Sequence, residues 1–226
     1  VTAQTGQLGR VLVLGCPGAG KTTFARWLAA RASLPLSHLD DEHWGPGWSR
    51  PRQDEWESRQ HRLVSADRWI IDGNYLPTLH LRAPRAELVV LVDAPTWLCL
   101  WRIVRRAWHI RRGDPHGLPA AVRAQAESGT AVRATKDFFR LMRMVVRFRG
   151  SSWPKVVDQV HSAGTARFLV AVVPGVTHSR IDAVRARLRR QGVLAQVQLL
   201  DQARGSVLAL TRIRTTFPSP TTGEEQ

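Results

Sequence analysis

Residues Gly15 to Thr22 read Gly-Cys-Pro-Gly-Ala-Gly-Lys-Thr, a match to G-x-x-x-x-G-K-S/T, and no other stretch restricts the possible folds as tightly. The flanks agree with the letters. Val11-Leu12-Val13-Leu14 is a short apolar run with the length of a buried parallel strand, and Phe24 to Arg31 has helical spacing through Phe24, Trp27 and Leu28. A strand, a glycine turn and a helix bring backbone N–H groups and a positive helix end around one anion. In that frame Lys21 reaches terminal phosphates and the Thr22 hydroxyl can ligate Mg2+. Gly15, Pro17, Gly18, Ala19, Gly20 and Thr23 complete the nucleotide-binding set, and bulky side chains at Gly18 or Gly20 would block the approach.

A chain of 226 residues suits one domain with a real core and room for an appendage. Its net charge of +15 points toward polyanionic partners. Only Lys21, Lys136 and Lys155 are lysines, so the excess is arginine, which a GC-rich genome also produces without functional demand. Arginines bunched near a phosphate loop have a more specific use, neutralising charge during phosphoryl transfer. Cys16 and Cys99 form no disulfide framework, which fits a reducing cytoplasm. Leu88 to Val104 is interrupted by Asp93, Pro95 and Arg102, so it reads as a strand followed by a helix and no membrane partner is expected.

Strands alternate with helices along the chain. Expected strands fall at about 10–15, 36–39, 69–71, 88–92 and 167–173, and expected helices at 20–32, 53–66, 97–110, 136–149, 153–163 and 179–190. This alternation implies an α/β fold with a parallel sheet covered by helices on both faces. Residues 193–200 and 206–214 read as a C-terminal β-hairpin added to that core. The expected division is a domain over 10–191 with a lid near 111–131, the hairpin over 192–214, and disordered ends at 1–9 and 215–226.

Acids collect at the ends of strands, where ligands bind in open α/β sheets. Asp40 follows the second strand, Asp72 ends the third and Asp93 ends the fourth. Asp40 is placed to orient or deprotonate an acceptor hydroxyl, or else caps a helix. Asp72 can hold Mg2+ through its water, or serves the tight turn before Gly73. Asp93 before Ala94-Pro95 is either catalytic or a turn organiser. Trp44 and Trp48, in the turn-rich stretch after Asp40, either pack on the core edge or wall a substrate ring. Arg82 can meet an acceptor anion or pair with Glu87. His43, His61, His80, His109, His116, His161 and His178 lack metal-ligand spacing.

Leu39-Asp40 with Trp44 and Gly47-Trp48, then Trp69-Ile70-Ile71-Asp72-Gly73-Asn74-Tyr75, then Leu91-Val92-Asp93-Ala94-Pro95 with Arg102 and Arg105-Arg106, complete a pattern. From about residue 10 to 190 it resembles the adenylate-kinase-related P-loop kinases known as DNA topology modulation proteins. The resemblance implies a nucleoside monophosphate kinase-like fold with a five-stranded parallel sheet and a lid, using Mg-ATP as phosphoryl donor. It implies Asp40 near the acceptor, Asp72 near the metal, and phosphate contacts from Arg102, Arg106 and Arg111 or Arg112. Asn74 and Tyr75 belong to its most specific element and join the expected acceptor site. The segment 117–129 departs from the family pattern, having only Glu127 where a Gly-Cys-Pro-Glu-like element is usual.

The leading expectation is a phosphotransferase moving the γ-phosphate of ATP to a small acceptor such as a nucleotide or nucleoside. Two alternatives stay open. One is a basic nucleic-acid-binding protein whose DNA affinity is controlled by ATP; the other is a nucleotide sensor with little turnover. The absence of a helix-turn-helix, zinc or ribonucleoprotein motif weighs against base reading.

Overall fold

Three apolar runs make the centre of the molecule because every position along them is shielded from water. The structure is a computed structural model that describes residues 9–114, 118–127, 135–164, 168–172, 186 and 196–199. Its first unit is β1 (Arg10–Gly15), the glycine loop and α1 (Lys21–Ala32). Next come β2 (Leu36–His38), α2 (Leu39–His43) and α3 (Gln53–Ser65), then β3 (Trp69–Asp72) and the short α4 (Leu79–Arg82). After β4 (Leu88–Asp93) four helices follow: α5 (Thr96–Arg111), α6 (Ala120–Glu127), α7 (Thr135–Arg147) and α8 (Trp153–Ser162). Then come β5 (Phe168–Val172) and β6 (Gln196–Leu199).

The sheet runs in the order β2-β3-β1-β4-β5-β6 and all its pairings are parallel. All of β3 and β4, and β1 beyond Arg10, is buried. Successive side chains of a strand point to opposite faces, so burial at every position means that both faces are covered. α1 supplies Phe24, Ala25 and Leu28, α3 supplies Trp56 and Val64, and α8 supplies Trp153, Val156, Val157 and Val160. This is the expected five-stranded parallel α/β core, extended by β6.

Some boundaries differ from the sequence expectation for physical reasons. The helix expected through Arg149 changes at Phe148–Ser152 to a π-helical turn, which buries Phe148 before Pro154 sits in the first turn of α8. Gly9, expected in a disordered lead-in, is buried; its N–H donates to Glu87 Oε2 at 2.7 Å and its carbonyl accepts from Trp69 N at 2.8 Å. The first expected hairpin strand is β6, paired in parallel with β5. Its expected partner at 206–214, the ends 1–8 and 215–226, and all but residue 186 of the expected helix over 179–190 lie outside the described residues.

Register fixes the site. His38 on β2 lies beside Asp72 on β3, Asp72 beside Val13 on β1, and Gly15 beside Val92 on β4. The carboxyl ends of four strands therefore meet around the glycine loop, where the connections leave the sheet.

Candidate active site

The loop between β1 and α1 is shaped by its glycines and by the start of α5. Gly18 has φ +82°, and a Cβ there would stand 2.6 Å from the Cys99 carbonyl oxygen. Gly20, the N-cap of α1, has φ +101° and gives the helix no side-chain cap. No acid occupies the first turn of α1, so its positive end is left for an anion. Lys21 Nζ rests 3.2 Å from the Cys16 carbonyl, against the loop it is expected to serve. Pro17 and Ala19 lie in the same turn, with Ala19 N donating to the Cys16 carbonyl at 3.0 Å, and Thr23 is in the first turn of α1.

Asp72 meets this loop from β3. Its Oδ2 accepts from the Thr22 hydroxyl at 2.6 Å and faces His38 Nδ1 at 3.2 Å, while its Oδ1 is buried with no hydrogen-bond partner. An unsatisfied buried carboxylate oxygen is costly unless something binds it. The hydroxyl and carboxylate oxygens of Thr22 and Asp72 are a hard-donor pair that fits Mg2+, which is held by few protein oxygens when phosphates supply others. Among the described residues no group of three or more His, Cys, Asp or Glu forms a protein-only metal cage.

The Asp-Gly-Asn-Tyr element divides between support and site. Asn74 clamps Gly15, accepting from its N–H at 3.0 Å and donating to its carbonyl at 2.7 Å, so its side chain is a brace for the glycine loop. Arg82 corrects the sequence expectation. It is completely buried, and its guanidinium donates to the carbonyls of Gly73 at 2.9 Å, Asn74 at 2.6 Å and Tyr75 at 3.0 Å. Burial pushes its pKa down to about 9, with Tyr75 acting in the opposite sense. Its role is to hold the element from behind, away from any acceptor anion. Glu87 pairs instead with Arg10 at 2.9 Å.

Asp40 sits in the first turn of α2, exposed, and its Oδ1 accepts from the Tyr75 hydroxyl at 2.9 Å. Burial, then the Asp40 charge, push the Tyr75 phenol upward and keep it a protonated donor. His43 ends α2 among aromatic rings, 5.0 Å from Trp44, 4.7 Å from Trp56 and 4.6 Å from Tyr75 between ring centres. Trp48 packs edge-on to Trp44 at 5.3 Å. Trp44 and Trp48 thus belong to one aromatic wall that reaches Asp40 through Tyr75. Arg50 covers one indole, 4.7 Å above the Trp44 ring.

Helix α5 brings the arginines in with different orientations. Arg102 donates to the carbonyls of Gly18 and Ala19, both at 3.2 Å, and so lies on the loop itself. Arg106, one turn later, is solvent-exposed as a residue; crowding by protein lowers its pKa while the Asp40 carboxylate raises it, which places its guanidinium within the field of Asp40. Arg111 is exposed in the last turn, far along the helix from the loop. Arg105 and Arg112 lie over Trp101 and Trp108 at 5.4 and 3.7 Å.

Several contacts were not visible in sequence. His38 reaches Asp72 only through strand register. Asp93 forms a short ion pair with Arg149 from the π-helical turn, a partner that neither of its two sequence readings included. Asp41 accepts from Ala120 N at 2.7 Å at the start of α6, inside the segment expected as a lid, where Leu118 and Val122 are buried. Cys16 and Cys99, which the sequence treats separately, are neighbouring buried thiols; the hydrogen bond that Cys16 donates to Cys99, and burial, push the Cys16 thiol up.

No family model and no curated protein matches the chain. Solved structures do. A shikimate kinase from Acinetobacter baumannii in complex with shikimate aligns with 16% identity and a TM-score of 0.44, covering 80% of this chain and 92% of that one. A shikimate kinase from Bacteroides thetaiotaomicron aligns with 14% identity and a TM-score of 0.44, covering 83% and 99%. A sugar kinase from Janibacter sp. HTCC2649 aligns with 17% identity and a TM-score of 0.35, covering 70% and 99%. The strand order and the glycine loop define the class: a parallel α/β sheet with a phosphate-binding loop after its first strand.

Proposed function

We propose that the protein is an ATP-dependent small-molecule kinase, transferring the γ-phosphate of Mg-ATP to an oxygen of a small acceptor such as a nucleotide or nucleoside. One observation carries this reading. The glycine loop with Lys21, Thr22 and the half-satisfied Asp72 shares the sheet edge with a second carboxylate, Asp40, fixed by Tyr75 beside an aromatic wall. A pure nucleotide sensor has no use for the second acid.

The loop, the α1 N-terminus and Lys21 bind and orient the donor phosphates. Thr22 and Asp72 would hold Mg2+, which when bound neutralises charge on the donor phosphates. Asp40 accepts the proton of the acceptor hydroxyl as that oxygen bonds to the γ-phosphorus and the bond to ADP breaks. Arg106 and Arg102 supply positive charge beside the transferring group. Trp44, Trp48 and Tyr75 line the acceptor side. Arg111 is a further candidate for the nucleotide phosphates. The compartment we propose is cytoplasmic, where Cys16 and Cys99 remain thiols.

The test is ADP release from Mg-ATP across nucleosides, nucleoside monophosphates, small sugars and duplex DNA, with Asp40→Asn beside the wild type. Acceleration by one small molecule, lost in Asp40→Asn, is the expected result. Acceleration by DNA alone, unchanged in Asp40→Asn, would replace this reading with ATP-controlled nucleic-acid binding. A specific feature favours that second reading: Trp97, Trp101 and Trp108 are exposed along α5, and arginines lie over two of them. Indoles and guanidinium groups together suit the bases and phosphates of a single strand. Binding of that kind should weaken steeply with added salt.

A further inference from the structure

The register between β2 and β3 sets the His38 ring against the Asp72 carboxylate at the sheet's carboxyl end. Two groups contact the same carboxylate oxygen, Oδ2: the Thr22 hydroxyl at 2.6 Å and His38 Nδ1 at 3.2 Å. A carboxylate oxygen only accepts, so Nδ1 must carry the hydrogen. The other oxygen, Oδ1, is buried and has no partner. These contacts have different prospects. The Thr22 hydroxyl belongs to the glycine loop and, on the kinase reading, would ligate the metal, whereas His38 is anchored in the sheet.

We propose that His38 is a positioning residue for Mg2+: its Nδ1–H holds Asp72 Oδ2 so that Oδ1 stays turned toward the metal and phosphates when Thr22 is drawn to the ion. The inference rests on the kinase reading above, since it concerns the same Thr22 and Asp72. It adds a residue from a different strand whose effect passes through a carboxylate. Partners of this kind orient a metal ligand, and their loss costs roughly 10- to 100-fold in metal affinity.

The experiment uses the full chain and a nonhydrolysable ATP analogue. Binding is measured by calorimetry without metal and over a Mg2+ series, for the wild type, His38→Phe, His38→Ala and His38→Asn. Phe keeps a planar ring without the donor, and Asn places an N–H close to where Nδ1 was. Expected is an unchanged metal-free affinity in every variant. His38→Phe and His38→Ala should require about tenfold more Mg2+ to gain the metal-dependent affinity, and His38→Asn should restore the wild-type requirement. In turnover, the apparent KM for Mg2+ should rise with kcat at saturating metal preserved.

Equal Mg2+ requirements in the wild type and His38→Phe would overturn the proposal and leave the kinase reading intact. So would an Asn variant as impaired as Phe, or a metal-free affinity that falls together with the Mg2+ response. If Ala does not fold, the Phe and Asn pair still decides. A wild type that binds no nucleotide would instead overturn the kinase reading itself, a separate result.

Discussion

Arg82 shows how little a residue's charge says about its use. Its guanidinium, completely buried, satisfies three consecutive carbonyls of the Asp-Gly-Asn-Tyr element, which itself curls tightly with Gly73 at φ +142° and Tyr75 at φ +35°. Methionine fits a similar volume but leaves those carbonyls without a donor. Arg82→Met should therefore cost on the order of 3 kcal/mol of stability, read as a lower urea midpoint. Gly18 gives a second prediction. A methyl group there meets the α5 backbone and the residue keeps a left-handed φ, so Gly18→Ala should lower both the melting temperature and nucleotide affinity. An unchanged affinity would mean that the loop does not depend on its contact with α5.

The aromatic wall links α2, α3 and the turn after β3, and His43 is its hub. Burial lowers the His43 pKa, helped by Arg50 and Arg59 and opposed by Asp40. The unfolded chain then binds a proton that the folded chain refuses. Stability is greatest above the ordinary histidine pKa of about 6.5 and declines as pH falls below it. Urea unfolding of the wild type between pH 7.5 and 5 should show that decline, and His43→Phe should flatten it. Equal slopes would place the acid sensitivity elsewhere. Elements of this kind were legible to different degrees. β1, β3 and β4 are visible as apolar runs because they are buried on both faces, and α5 by its spacing. The π-helical turn, the β2 register and the docking of Asp41 on α6 depend on tertiary neighbours, which no local pattern encodes. The glycine loop was readable because its chemistry lies in adjacent letters, and Asp72 because it ends an apolar run just before Gly73. His38 was not, because only the β2–β3 register brings it to Asp72 and no motif around it marks it.

Across the molecule, the chain carries a net charge of +15, and the indoles of Trp97, Trp101 and Trp108 on α5 face outward. Among the described residues no helix is long and apolar enough to cross a membrane. Lys21→Ala should keep the fold, seen as an unchanged far-ultraviolet spectrum, while abolishing nucleotide-dependent turnover. That control does not say where the phosphate goes. ATP labelled in its γ-phosphate, incubated with Mg2+, the protein and the acceptor found in the ADP-release panel, does say so. Label should be recovered covalently on the acceptor in the wild type and be lost in Asp40→Asn. Label recovered only as inorganic phosphate, at equal rates in the two proteins, would contradict phosphoryl transfer to a small acceptor.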